Sequence, residues 1–230
     1  MEKVNVAIAG ATGAVGEALV EILEERAFPV GELYLLASER SAGKRVQFRG
    51  KSVMVQRLDE FDFSQAQIGL FSAGGSLSAE FAPKAGAAGC VVIDNTSHFR
   101  YQDDIPLLVP EVNLHRLPEY ANHNIIANPN CSTIQMVAAL KPIYDAWGLE
   151  RINVCTYQAV SGAGAGGVRE LAGQTAGLLN GQDIGWRFHH TQLSLAPIWV
   201  AANSTHGLFG QITTGTTVTY RLHGISHGIG

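Results

Sequence analysis

The sequence predicts an α/β fold, with a parallel sheet covered by helices in the N-terminal part and the start of an α+β unit after it. Three features lead to this prediction: apolar runs typical of buried strands, amphipathic stretches between them, and a glycine-rich turn after the first run. Strands that alternate with helices usually pair in parallel, and the helices then cover both faces of the sheet.

The first strand and helix have the clearest pattern. Residues 4–9 form an apolar run with many β-branched side chains, and residues 17–26 place Leu19, Val20 and Leu23 on one helical face. Ser132 and Thr133 are candidate caps for a later helix. The remaining predicted strands are 33–37, 68–72, 90–93, 125–127 and 151–160, and the remaining predicted helices are 76–88, 132–147 and 166–179.

A glycine-rich turn joins the first strand to the first helix with GxxGxxG spacing. Glycines allow a tight turn and the close approach of a pyrophosphate to backbone N–H groups, and the helix N-terminus adds partial positive charge. After the first strand of a βαβ pattern, such a turn is typical of a Rossmann-type dinucleotide-binding domain. The alternative is a purely structural turn. The residues predicted to bind the cofactor here are Gly10, Thr12, Gly13, Ala14, Val15 and Gly16.

The end of the second strand discriminates between two dinucleotides. Enzymes that use NAD usually place an acidic residue there for the ribose hydroxyls, whereas enzymes that use NADP place an Arg near the 2′-phosphate. Ser38, Arg40 and Ser41 suit a phosphate, while Glu39 favours NAD unless its side chain points outward. The segment favours NADP, and the alternative is a solvated loop with a charge pair.

Cys131 is the candidate nucleophile because it lies where a strand meets a helix. Thiolates are the reactive form of cysteine, and a helix N-terminus favours them. Attack on a carbonyl would lead through a thiohemiacetal and a thioester, and backbone N–H groups at the helix start would stabilise the oxyanion. Cys90 lies in an apolar run and Cys155 on a predicted strand, so both are expected to be core residues.

Composition excludes several other classes of function. The net charge of −4 argues against a protein that binds nucleic acid or a membrane surface. No apolar run reaches the roughly 18 residues that a membrane span needs. Three cysteines without a CxxC pair and without an export signal predict reduced thiols, a cytoplasmic location and no metal site.

Seven motifs occur in the order in which they occur in bacterial aspartate-β-semialdehyde dehydrogenases, and residues 3–181 resemble that family. The motifs are residues 10–16, 38–41, 71–75, 94–100, 109–113, 128–133 and 157–164. The resemblance implies reversible, NADP-dependent reduction of aspartyl phosphate to aspartate semialdehyde and phosphate, a step of aspartate-family amino-acid biosynthesis (lysine, threonine, methionine and diaminopimelate).

The resemblance also implies roles for particular residues. Cys131 would be the nucleophile, and Gln158 would orient the substrate and the thioester carbonyl. Arg100 and Asn130 would help to bind phosphate or the acyl group. Members of the family are usually homodimers, so a homodimer is expected. The further residues expected against the cofactor are Ser72, Gly74, Ser161 and Gly162.

The family pattern is not recognisable throughout the chain. Ala165 stands where the family usually has Lys, and the family's later acid, basic, Arg and His site residues find no match in residues 182–230. The abrupt loss of charge after Gly181 motivates one hypothesis, a shifted or mis-joined reading frame. The predicted organisation is therefore an NADP-binding domain at 1–130, the start of a catalytic domain at 131–181, and an unmatched tail at 182–230.

Two alternatives to this enzyme remain open. One is a reductase of the N-acetyl-glutamyl-phosphate type, which uses the same chemistry. Asn130 and the segment 156–164 favour the aspartate-semialdehyde enzyme over it. The other is a nucleotide-binding remnant without catalytic activity.

Overall fold

A computed structural model of the chain describes residues 2–152, 154 and 160–182. The described residues up to Leu149 form one compact unit, and those from Glu150 onward belong to a second. The predicted domain limits at residues 130 and 181 stay predictions. None of the helices in the described part of the chain is long and apolar enough to cross a membrane.

The first unit is built on one seven-stranded sheet in the order β3-β4-β2-β1-β5-β6-β7. All neighbouring strands are parallel except β3 and β4, which form an antiparallel hairpin. The predicted α/β fold with a Rossmann-type parallel sheet is thereby confirmed. The strands are β1 (Val4–Ala9), β2 (Val30–Ala37), β3 (Arg45–Phe48), β4 (Lys51–Arg57), β5 (Ile68–Phe71), β6 (Val91–Asp94) and β7 (Ile125–Ala127).

Helices cover the two faces of this sheet. Helix α1 (Ala14–Glu25) contributes Val20 and Leu23 to the core on one face, and α2 (Gly75–Ala87) contributes Phe81 to the core on the other. Strand β1 lies between the two cores and is almost fully buried, which explains why its apolar run does not alternate with polar residues.

Three further α-helices lie in the described residues, which also contain 3-10 helices at Glu39–Ser41, Phe63–Gln65 and Leu114–Asn122. In the first unit, α3 (Pro110–Asn113) and α4 (Cys131–Trp147) share a small core formed by Val109, Val112 and Val137. In the second unit, a 3-10 turn at Val160–Ala163 leads into α5 (Gly164–Leu179).

The structure differs from the sequence predictions at several boundaries. Strand β2 begins three residues earlier than predicted, at Val30 rather than at residue 33. The hairpin of β3 and β4 was not predicted at all. The predicted strand at 151–160 falls mostly outside the described residues, so it stays a prediction.

Candidate active site

The predicted site residues of the first unit follow strands that end at one edge of the sheet. The backbone N–H of Ser72 donates to the last carbonyl of β1, that of Asn95 to the last carbonyl of β5, and that of Asn128 to the last carbonyl of β6. Each of these hydrogen bonds is 2.8 Å long. The loops after these strands are therefore held side by side. In parallel sheets this carboxyl edge is where ligands bind.

The glycine turn is tightly packed against the neighbouring loop. Gly10 has φ +89°, and a Cβ placed on it would lie 2.9 Å from the backbone of Ser72 and Ala73. A Cβ on Gly16 would lie 2.2 Å from the carbonyl oxygen of Gly10. Only glycine fits at these two positions, so the sequence places the start of α1 directly against the turn.

The part of the turn next to α1 is open to solvent, whereas Ala11 is fully buried. Gly13 is the N-cap residue of α1 and makes no side-chain capping bond, and Ala14 and Val15 in the first helical turn are exposed. Thr12 is half-buried. The first amide groups of α1 are thus presented to solvent at the end of the helix that carries partial positive charge.

A second candidate subsite lies at the end of β2. Ser38 and Arg40 are exposed, whereas Ser41 is buried. The Glu39 carboxylate lies 3.3 Å from Nη1 of Arg57, so its side chain is directed toward β4. The arrangement leaves Ser38 and Arg40 as the accessible groups for a phosphate.

Cys131 is the first residue of α4 and is exposed. Its Sγ lies 3.9 Å from Oδ1 of Asn130, which also accepts hydrogen bonds from the backbone N–H of Ser132 at 3.1 Å and from its hydroxyl at 2.7 Å. Asn130 is therefore the cap of the helix, and the prediction that Ser132 and Thr133 act as caps is wrong. The thiol occupies the N-terminal end of α4, the end of the helix that carries partial positive charge.

Arg100 connects the two loops next to Cys131. Its Nε donates to the carbonyl of Asn128 at 2.9 Å and its Nη2 donates to the carbonyl of Asn95 at 3.0 Å. Burial lowers the pKa of the guanidinium, while the negative charges of Asp94 and Cys131 oppose this shift. Arg100 remains charged at neutral pH, and its guanidinium interacts electrostatically with the Cys131 side chain.

Sequence reasoning missed the role of Asp94. This carboxylate is fully buried and accepts hydrogen bonds from the Ser78 hydroxyl at 2.7 Å, the Thr96 hydroxyl at 2.6 Å and the Thr96 N–H at 3.2 Å. It ties the loop that carries Arg100 to α2. The signals in the sequence were an acidic residue at the end of the apolar run 90–93 and its place at the start of the motif 94–100.

The structure gives fewer contacts, or none, for the remaining predicted site residues. Ser72 follows β5, its hydroxyl donating to the carbonyl of Ala9 at 3.3 Å, and Gly74 caps α2 with φ +101°. Gln158 lies outside the described residues. Ser161 and Gly162 lie in the 3-10 turn of the second unit. Across the described ranges, no three potential metal ligands cluster together.

The sequence matches two family profiles in succession. The profile of the semialdehyde dehydrogenase NAD-binding domain matches residues 5–120, which is half of the chain. The chain belongs to the semialdehyde dehydrogenase family. The profile of the semialdehyde dehydrogenase dimerisation domain matches residues 140–207, and this match extends beyond residue 181, where the motif resemblance ends.

Within this family, the chain is similar to proteins named as aspartate-semialdehyde dehydrogenases. The chain is 69% identical over 180 residues to aspartate-semialdehyde dehydrogenase 2 of Vibrio cholerae, an alignment that covers 78% of this chain and 53% of that protein. The crystal structure of aspartate semialdehyde dehydrogenase II from Vibrio cholerae, complexed with ASA, has a TM-score of 0.77 at 65% identity, covering 84% of this chain and 57% of that one. The family resemblance predicted from the motifs is confirmed.

A more distant structure carries a cofactor. Aspartate semialdehyde dehydrogenase with NADP from Candida albicans has a TM-score of 0.54 at 25% identity, covering 64% of this chain and 48% of that one. Together with the NAD-binding profile, it indicates a nicotinamide dinucleotide as the cofactor of this fold. The chain spans about half the length of the relatives that it matches.

Proposed function

We propose that this chain catalyses the NADP-dependent, reversible reduction of aspartyl phosphate to aspartate semialdehyde and phosphate. The observation that carries the proposal is the position of Cys131: exposed, at the N-terminal end of α4, and at the carboxyl edge of the sheet. The similarity to aspartate-semialdehyde dehydrogenases supports the choice of substrate. The cysteine count favours a cytoplasmic location.

The reaction proceeds through the thiol. The Cys131 thiolate attacks the acyl carbon, the carbon–oxygen bond to phosphate breaks, and a thioester remains on Sγ. NADPH, when bound, would supply the hydride that reduces this thioester. The resulting thiohemiacetal on Cys131 then collapses, releasing the aldehyde and regenerating the thiolate. Each step develops negative charge on the former carbonyl oxygen, which hydrogen-bond donors at a helix start stabilise.

Residues near Cys131 would bind the acyl group or phosphate and orient the thioester carbonyl. Asn130 uses its side-chain oxygen to cap α4, so its amide nitrogen would be the group that contacts the acyl group or phosphate. Arg100 adds a partly buried positive charge for phosphate. Gln158 orients the thioester carbonyl, a role taken from the family resemblance.

Two places in the chain support the proposed binding of the cofactor. The glycine turn leaves no room for side chains at Gly10 and Gly16, so a pyrophosphate would approach bare backbone at the start of α1. Ser38 and Arg40 would hold the 2′-phosphate, with Ser41 behind them, which is why we propose NADP rather than NAD. The family resemblance adds Ser72, Gly74, Ser161 and Gly162 to the residues proposed to bind the cofactor.

We also propose that the protein forms a homodimer. The support is the match of residues 140–207 to the dimerisation-domain profile of the family. The N-acetyl-glutamyl-phosphate alternative finds no support among the relatives named above, which are aspartate-semialdehyde dehydrogenases.

Phosphate-dependent NADP reduction with aspartate semialdehyde tests the proposal. The full chain is compared with Cys131→Ala, and Cys90→Ala serves as the matched control because Cys90 is buried away from solvent and burial raises the pKa of its thiol to about 11. We expect Cys131→Ala to lower the rate by more than about 10³-fold and Cys90→Ala to retain activity. Equal rates for the chain and Cys131→Ala would contradict the proposal. NADPH binding without turnover in the unmodified chain would instead favour the nucleotide-binding remnant.

A further inference from the structure

We propose that Arg57 is a positioning residue that makes the chain select NADP over NAD, because it holds the Glu39 carboxylate away from the ribose 2′ position. This inference rests on the proposed function, namely on the use of a dinucleotide at the end of β2. It assigns a role to a residue outside the predicted cofactor site.

The sheet register brings Arg57 to the right place. Arg57 is the last residue of β4 and pairs with Ala37, the last residue of β2. Glu39 follows two positions later, in the segment that would bind the 2′ group. Arg57 therefore reaches Glu39 from the neighbouring strand, 18 residues further along the chain.

Asp59 orients the guanidinium toward Glu39. It accepts hydrogen bonds from Nε at 3.1 Å and from Nη2 at 2.6 Å, so that Nη1 is directed to Glu39 at 3.3 Å. Glu60 lies 3.2 Å from Nε. The hydrogen bonds to Asp59 and the surrounding negative charges raise the pKa of Arg57, so it stays charged throughout the accessible pH range.

The position of Glu39 decides which ribose is tolerated. A carboxylate at the end of β2 accepts hydrogen bonds from the 2′-hydroxyl of NAD, but it repels the 2′-phosphate of NADP. While Glu39 is paired with Arg57, this carboxylate is directed toward β4, and Ser38 and Arg40 are the exposed groups of the segment. Without Arg57, the Glu39 side chain, which is 79% exposed, is free to turn toward the ribose.

The effect should be modest because the pair is exposed. Ion pairs of this kind change an equilibrium by roughly two- to fivefold, and salt screens them. Cofactor preference is a ratio of two affinities, and the loss of Arg57 moves them in opposite directions. We therefore expect the preference for NADPH over NADH to fall by roughly tenfold at low salt and by less at high salt.

A double-mutant cycle with fluorescence titration of NADPH and NADH tests the inference. The proteins are the full chain, Arg57→Gln, Glu39→Gln, and the double variant. We expect Arg57→Gln to weaken NADPH binding and strengthen NADH binding. Glu39→Gln should keep the NADPH preference, and the double variant should recover it, which a merely structural role of Arg57 would not produce.

The outcomes separate this inference from the proposed function. An unmodified chain that binds NADH as tightly as NADPH contradicts NADP use, and with it both proposals. An NADPH preference that persists in Arg57→Gln contradicts only the role of Arg57. A double variant that binds NADPH as weakly as Arg57→Gln would also overturn it, because Arg57 would then contact the phosphate itself rather than act through Glu39.

Discussion

The two ends of the sheet's carboxyl edge are built in different ways. Beside Cys131, charged side chains are buried or half-buried: Asp94 is fully enclosed, and Arg100 bonds to two backbone carbonyls. At the end of β2, the charged side chains form an exposed network around Arg57. The first arrangement fixes the positions of loops, whereas the second changes the local charge with little effect on the backbone.

This difference follows from solvation. A buried carboxylate is tolerated only when hydrogen bonds satisfy it, and removal of either partner leaves groups that are costly to bury. An exposed ion pair is screened and loses little when it is broken. Mutations at the Cys131 end should therefore affect both folding and chemistry, while mutations at the β2 end should affect cofactor choice alone.

The largest expected effect is on stability, for Asp94→Ala. The hydroxyls of Ser78 and Thr96 and the Thr96 N–H would lose their acceptor, so we expect the free energy of unfolding to fall by about 3 kcal/mol. Asp94→Asn should lose less, because the Thr96 hydroxyl can reverse and accept from the new amide. Urea denaturation measures both.

The exposed carboxylate of Asp59 provides the matched control for that experiment. Asp59→Ala removes the principal hydrogen-bond partner of Arg57, yet we expect its denaturation midpoint to match that of the unmodified chain. A midpoint for Asp59→Ala as low as that of Asp94→Ala would break the contrast between the two ends of the edge.

A smaller effect is expected for Asn130→Ala, which removes the cap of α4. Loss of a side-chain cap typically costs about 1 kcal/mol of stability. Asn130→Ser restores a capping oxygen without the carboxamide, so it should recover the stability but not the turnover. Thermal unfolding reports on the capping role of Asn130, and phosphate-dependent turnover reports on its role in substrate binding. Both are measured on the same two variants. Full turnover in Asn130→Ser would exclude a role for the amide in the reaction.

The local patterns in the sequence were sufficient to predict the central part of the fold. Strand β1, the glycine turn and α1 are adjacent in the chain, and their apolar spacing and glycine spacing report directly on their geometry. Cys131 was found for the same reason, since a strand, a loop and a helix start follow one another there.

The features that the sequence did not predict depend on an unusual turn residue and on contacts between residues that are distant in the chain. The hairpin of β3 and β4 turns at Arg49 and Gly50, both with positive φ, and an arginine is an uncommon first residue for such a turn. The pairs formed by Asp94 with Ser78 and by Arg57 with Glu39 join residues 16 and 18 positions apart. No periodicity or short motif encodes such contacts, because the packing of α2 on the sheet creates the first and the pairing of β2 with β4 creates the second.

The central claim is that Cys131 carries the acyl group during the reaction. Incubation of the full chain with aspartate semialdehyde and NADP, without phosphate, should oxidise the bound aldehyde and leave the acyl group as a thioester. We predict that peptide mass spectrometry will locate the adduct on Cys131. We also predict that the amount of NADPH formed will equal the amount of adduct. An adduct on another residue, or NADPH formation with Cys131 unmodified, would contradict the account.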